Sequence, residues 1–159
     1  LTNQTPVPPP PASAVEPLYP CELLTTAQMQ RLHLIGNSPQ AKPDPGSLTG
    51  LSCMWATGST AQEEIYRARL LAPTTSRAIP VPPVAGLPTT DATPTSSSSN
   101  LDCVYEVTLS PNVTLWAEFT NIYGDIPNMN HQTACDKARM IADNMVQTYQ
   151  ARTQRRATS

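Results

Sequence analysis

Apolar and polar residues alternate most regularly between residues 103 and 119. Cys103, Tyr105, Val107 and Leu109 occupy every second position, Ser110-Pro111-Asn112 supplies turn residues, and Val113, Leu115, Ala117 and Phe119 resume the alternation. A period of two on both sides of a turn predicts an antiparallel hairpin with one buried face. Downstream the period changes. Ala134, Ala138, Ile141, Met145 and Tyr149 recur at helical spacing and predict an amphipathic helix from about His131 to Ala151, lying across the hairpin.

Upstream the pattern is weaker. Thr25-Thr26-Ala27-Gln28 fits a capping box, with Thr25 as N-cap and Gln28 at the third helical position. Met29 and Leu32 share a face and Gly36 can stop the helix, so a short helix is predicted over about 25–34. Leu51, Cys53 and Trp55 alternate with Ser52 and Met54 as a strand would. Residues 61–72 satisfy two periods at once. Glu63 and Arg67 at i,i+4, with Ile65 and Ala68, suit a helix, and the residues lean that way; Ile65, Arg67, Arg69 and Leu71 also alternate with Tyr66, Ala68 and Leu70.

Proline and small polar residues set the limits of the packed region. Residues 1–19, with Pro8-Pro9-Pro10-Pro11, read as a polyproline-like tether. Residues 73–100, ending in Ser96-Ser97-Ser98-Ser99, hold too few large apolar groups to offset the entropy of ordering them. Within that insertion only Ile79 to Leu87 has strand character, at an edge where proline is tolerated. Residues 152–159, with Arg152, Arg155 and Arg156, form a polar tail. What remains, 20–151, predicts one α+β domain: a small antiparallel sheet flanked by a short N-terminal helix and a long C-terminal one.

The chain of 159 residues holds 18 prolines, so its core is small and cross-links weigh heavily in its stability. Cys21, Cys53, Cys103 and Cys135 show no Cys-x-x-Cys spacing, which points to two disulfides and an oxidising compartment. No apolar run is long enough to cross a bilayer and no signal-peptide pattern is present, so a signal segment removed upstream of Leu1 is expected. A formal charge of −2, 14% charged residues and no basic stripe argue against nucleic acid as a partner and leave protein, glycan or lipid.

The succession Pro-Cys21-x-Leu-Leu-Thr, Gly-x-x-Cys53-x-Trp55, Val84-Ala-Gly-Leu87-Pro88, Cys103-Val-x-x-Val107 and Cys135-x-Lys-Ala138, closing with a helix, resembles the actinobacterial lipoproteins of unknown function typified by the mycobacterial LprB and LprC proteins. The resemblance spans roughly residues 20–151. It implies a lipid-bearing cysteine just upstream of Leu1, a place in the cell envelope on the outer face of the membrane, and a small domain in which residues 63–71 form a strand. It brings no catalytic residues. The long Pro/Ser/Thr insertion and the few glycines between strands depart from the pattern. Topology then favours pairing Cys21 with Cys53 and Cys103 with Cys135, each bridge tying a helix start to a strand, while four cysteines permit three connectivities.

Candidate chemistry is sparse. The cysteines are isolated and neither His33 nor His131 has a second ligand at the short spacing of a zinc site, so no metal or other cofactor is expected. Cys135 opens the last helix, where a thiolate would be stabilised, and the same place suits a disulfide anchor. No Gly-x-Ser-x-Gly elbow is present. Glu106 and Glu118 would serve a glycosidase only by facing each other, and alternation puts both on a solvated face. Trp55 shares a face with Cys53 and reads as core. Trp116 falls with Thr114, Glu118 and Thr120, away from Leu115 and Phe119. Asn3-Gln4-Thr5 and Asn112-Val113-Thr114 match the N-glycosylation triplet, which matters only in a glycosylating host.

The sequence thus predicts a non-catalytic, exported envelope lipoprotein domain. Its expected role is that of an accessory subunit docking on a membrane or cell-wall protein complex through Trp116, Glu118 and Thr114. The alternative is a lipid or glycolipid carrier or sensor, with Met140, Ile141, Met145 and Tyr149 lining a pocket between helix and sheet. A hydrolase is the third and least favoured reading.

Overall fold

The computed structural model describes residues 19–35, 38–39, 44, 46–58, 62–73, 78–94, 102–121, 124 and 126–158. The expected tether (Tyr19 apart), Gly36 and the serine run 96–99 lie outside them. A 3-10 turn, Pro20–Leu23, leads into α1 (Thr26–Arg31). The strands are β1 (Ser38–Pro39), β2 (Cys53–Ala56), β3 (Ile65–Leu71), β4 (Ile79–Val84), β5 (Leu87–Asp91), β6 (Asp102–Ser110) and β7 (Val113–Thr120), and α2 (His131–Thr158) closes the chain. All pair antiparallel in one sheet, ordered β1-β2-β3-β7-β6-β5-β4.

The hairpin read from the alternation is the centre of this sheet. β6 and β7 pair from Asp102↔Thr120 to Ser110↔Val113, with Pro111 and Asn112 at the turn. Cys103, Tyr105, Val107, Leu115, Ala117 and Phe119 share one buried core with Ala134, Ala138, Ile141, Ala142, Met145 and Val146 of α2. Each large side chain buried there contributes roughly 1.5–3 kcal/mol. α2 runs on to Thr158, past the end expected at about Ala151, so the polar residues 152–158 continue the helix, and Arg152 Nη1 bonds Glu22 Oε2 at 2.6 Å.

Residues 65–71 are a strand, the conformation the resemblance implied, whereas the local residues lean to helix. Two flanking partners decide it. β3 lies between β2 and β7, which places Tyr66, Ala68 and Leu70 in the core and Arg67 and Arg69 on the opposite face. The i,i+4 pairing of Glu63 with Arg67 gives way to an ion pair of Arg67 Nη1 with Glu118 Oε1 at 3.8 Å.

The insertion is also more ordered than its composition suggests, because β4 and β5 form a hairpin on the sheet edge. Ala85 and Gly86, both at positive φ (51° and 78°), make the reversal. Thr89 braces it: its hydroxyl donates to Leu87 O at 2.9 Å and accepts from Val84 N at 3.1 Å. Pro80, Pro82 and Pro83 sit on the outermost strand, where a missing N–H costs no ladder bond on the open side.

At the N-terminal end the capping box is present, Thr25 Oγ1 accepting from Gln28 N and Gln28 Oε1 from Thr25 N. α1 stops at Arg31, with Leu32 as C-cap and His33 at φ 58°. The two disulfides are Cys21 with Cys53 and Cys103 with Cys135. The first ties the 3-10 turn to β2 and the second ties α2 to β6. No described helix is long and apolar enough to cross a membrane.

Candidate functional site

α2 covers one face of the sheet, and the side chains that alternate away from it make the opposite face. Cross-strand register sets their order: Met54, Arg67, Glu118 and Val104 form one row, and Arg69, Trp116, Glu106 and Thr90 the next. Trp116 is half-buried, with the Arg69 guanidinium 4.4 Å from its ring centroid. Arg69 Nη1 in turn donates to both carboxylate oxygens of Asp44, at 3.3 and 3.2 Å. Asp44 thereby fixes the plane that stacks on the indole.

Glu118 lies on this face as the alternation requires, yet it is not solvated: its side chain is only 14% exposed. Burial pushes its carboxyl up to about 7; Arg67 and Arg69 oppose the rise and Asp102 adds to it. At 3.8 Å the Arg67 contact is an ion pair without a hydrogen bond, and burial outweighs it. Glu106 stands opposite Trp116 and Glu118 opposite Val104, so the two carboxylates are a diagonal pair and do not face one another across the hairpin.

Thr114, the third residue of the expected contact, is buried at the start of β7 and lines a groove of about 460 Å³. Thr108, Glu106, Thr90 and Pro80 continue it across the same face. Trp116, Glu118 and Thr114 therefore share one face of the sheet, Thr114 buried and Glu118 nearly so, beside a proline-rimmed groove that the sequence did not reveal. The prolines of the insertion come from a hairpin whose existence depends on pairing with β6.

The four residues expected to line a carrier pocket part company. Ile141 and Met145 are 0% exposed and belong to the core, with Tyr149 packed against it. Met140 points outward and lines a second groove, of about 490 Å³, with Pro83, Val84, Ala85 and Arg139.

One cluster escapes the sequence reading. His131 Nε2 lies 2.7 Å from Asp91 Oδ2 and 3.4 Å from Cys135 Sγ, beside the bridge to Cys103. Burial alone would raise the Asp91 carboxyl, but hydrogen bonds from the side chain and backbone of Thr93 and from His131 outweigh it and hold the group below the usual range. A signal was available: His131 and Cys135 are four residues apart on a predicted helix, one turn and one face. Asp91 carried none, since its placing depends on the unforeseen β5.

No family model, no curated protein and no solved structure matches this chain.

Proposed function

We propose that this chain is a non-catalytic domain of the cell envelope, held by a lipid anchor upstream of Leu1 at the outer face of the membrane. It acts as an accessory subunit that docks on a membrane or cell-wall protein complex. Two disulfides suit an oxidising compartment. The observation that carries the docking reading is the asymmetry of the sheet, one face filled by α2 and the other presenting Trp116, Glu106 and a groove edged by Pro80, Pro83, Pro88 and Pro111. Aromatic and arginine side chains are the usual anchors of protein interfaces, and here Arg69 is already held by Asp44 and the prolines are rigid, so little side-chain freedom is left to lose.

The test is site-specific photocrosslinking in the native envelope. A photoreactive side chain at exposed Thr108 should capture a defined protein subunit, and the same group at exposed Gln147 on α2 should not. Equal capture at both positions, or capture of lipid alone at Thr108, would count against the proposal.

A further inference from the structure

We propose that, when Cys103 and Cys135 are thiols, the end of β5, the start of β6 and the first turns of α2 form a four-ligand site for a zinc-class cation, built from two cysteines, one histidine and one aspartate. The ligands are Cys103 Sγ, Cys135 Sγ, His131 Nε2 and Asp91 Oδ2. This site is independent of the docking face, lying on the α2 side of the sheet.

The ligand atoms of all four residues lie within 4.8 Å of one another, and among the described residues no other three His, Cys, Asp or Glu side chains converge in this way. Zinc's bond lengths to sulfur, nitrogen and oxygen give a tetrahedron with ligand-to-ligand edges of about 3.3–3.8 Å. Cys135 Sγ already stands 3.4 Å from His131 Nε2 and 3.8 Å from Asp91 Oδ2. The His131 Nε2 to Asp91 Oδ2 edge, at 2.7 Å, has to lengthen by roughly half an ångström. Separation of the two sulfurs completes the figure.

Once the thiols are free, the surroundings suit a metal centre. Asp91 Oδ1 is held by Thr93 N at 3.0 Å and by the Thr93 hydroxyl at 2.6 Å, which turns Oδ2 towards His131 as an outer-shell partner of a metal ligand does. His131 and Cys135 share one face of α2, and Asp91 and Cys103 sit on adjacent strands, so all four donors stand on regular elements. Cys103 and Cys135 are buried, while the His131 side chain is 39% exposed and gives the ion a way in. Two thiolates with an imidazole select zinc over calcium or magnesium.

The chemistry balances without a hidden reagent. In a chain whose thiols are not yet oxidised no reductant is needed. In the oxidised chain a dithiol reductant supplies two electrons to the sulfur–sulfur bond and closes to its own disulfide, and each cysteine sulfur gains a proton. The cation then displaces both thiol protons to solvent and takes the sulfurs as thiolates. A disulfide oxidant that removes two electrons re-forms the bridge and expels the cation.

The test is cobalt titration of the full chain, reduced and kept anaerobic. The expected result is a thiolate-to-cobalt charge-transfer band with tetrahedral d–d absorption, saturating at one equivalent and bleached by one equivalent of zinc. A Cys21→Ser/Cys53→Ser variant should give the same spectrum, and Asp91→Ala and His131→Ala should each weaken cobalt binding by about tenfold or more. Absence of the band would overturn the proposal. So would a band whose affinity is unchanged in both ligand variants, the behaviour of loose cysteines in an unfolded chain, or a band lost with Cys21 and Cys53.

Discussion

Gln28 of α1 and Thr148 of α2 meet in a buried hydrogen bond, the Thr148 hydroxyl donating to Gln28 Oε1 at 2.9 Å. The same oxygen accepts from Thr25 N, and Gln28 Nε2 donates to Asn144 O at 3.0 Å. One side chain thus completes a helix cap and pins α1 to α2. Thr25→Ala should cost about 1 kcal/mol, the usual worth of an N-cap. Gln28→Ala should cost more, about 2–3 kcal/mol, because two buried hydrogen bonds to Asn144 O and Thr148 Oγ1 go together with the one that closes the cap. Urea denaturation of the two variants checks the order.

Glu118 makes stability depend on pH. Its folded carboxyl titrates near 7, above its ordinary value of 4.5, so the folded state holds the proton more tightly than the unfolded chain. The resulting stabilisation is fully present below the unfolded value and is lost as pH rises through about 7, amounting to about 3 kcal/mol. Thermal melts of wild type should fall across that window. Glu118→Gln should flatten this part of the profile, and an unchanged slope would show that another group is responsible.

The two disulfides close loops of the same sequence separation, 32 residues. Chain entropy alone then assigns them similar worth, about 3–4 kcal/mol each. Cys21→Ser/Cys53→Ser and Cys103→Ser/Cys135→Ser, compared by denaturation under identical conditions, should lose similar amounts. A difference of several kcal/mol would locate a native-state contribution in one bridge.

Neighbouring positions on α2 should behave in opposite ways. Ile141→Ala and Met145→Ala empty core volume and should cost about 2–5 kcal/mol, while Met140→Ala should stay within about 0.5 kcal/mol. Were Ile141 and Met145 the walls of a ligand cavity, their truncation would be mild and would alter lipid retention instead. Denaturation midpoints, with lipid extraction of the purified variants, separate the two cases.

Much of the fold is legible in the sequence because its strongest signals are local. The hairpin of β6 and β7 and the apolar face of α2 follow from periodicity, and the Thr25–Gln28 box from four consecutive residues. Residues 65–71 lean towards helix because both periods fit, and the deciding partners, β2 and β7, include a strand far away in sequence. Ile79 to Leu87 reads as a proline-tolerant edge strand and β4 occupies most of it, whereas the return strand β5 is hidden because Leu87–Asp91 holds one large apolar residue and owes its strand to pairing with β4 and β6. Glu118 is placed on the correct face by alternation but expected to be solvated, since alternation tells which side a residue faces and not what covers it. The Asp91–His131–Cys135 cluster combines a helical spacing visible in the sequence with a strand that is not.

Native mass spectrometry of protein purified from its own envelope, wild type against Thr108→Arg, tests the docking claim most directly. Thr108 is exposed and lines the groove on the face away from α2, so a long charged side chain there obstructs the surface without disturbing the core. Wild type should retain a defined protein partner, and Thr108→Arg should lose it while staying folded. Retention of the same partner by both, or bound lipid with no protein partner in wild type, would contradict the docking role.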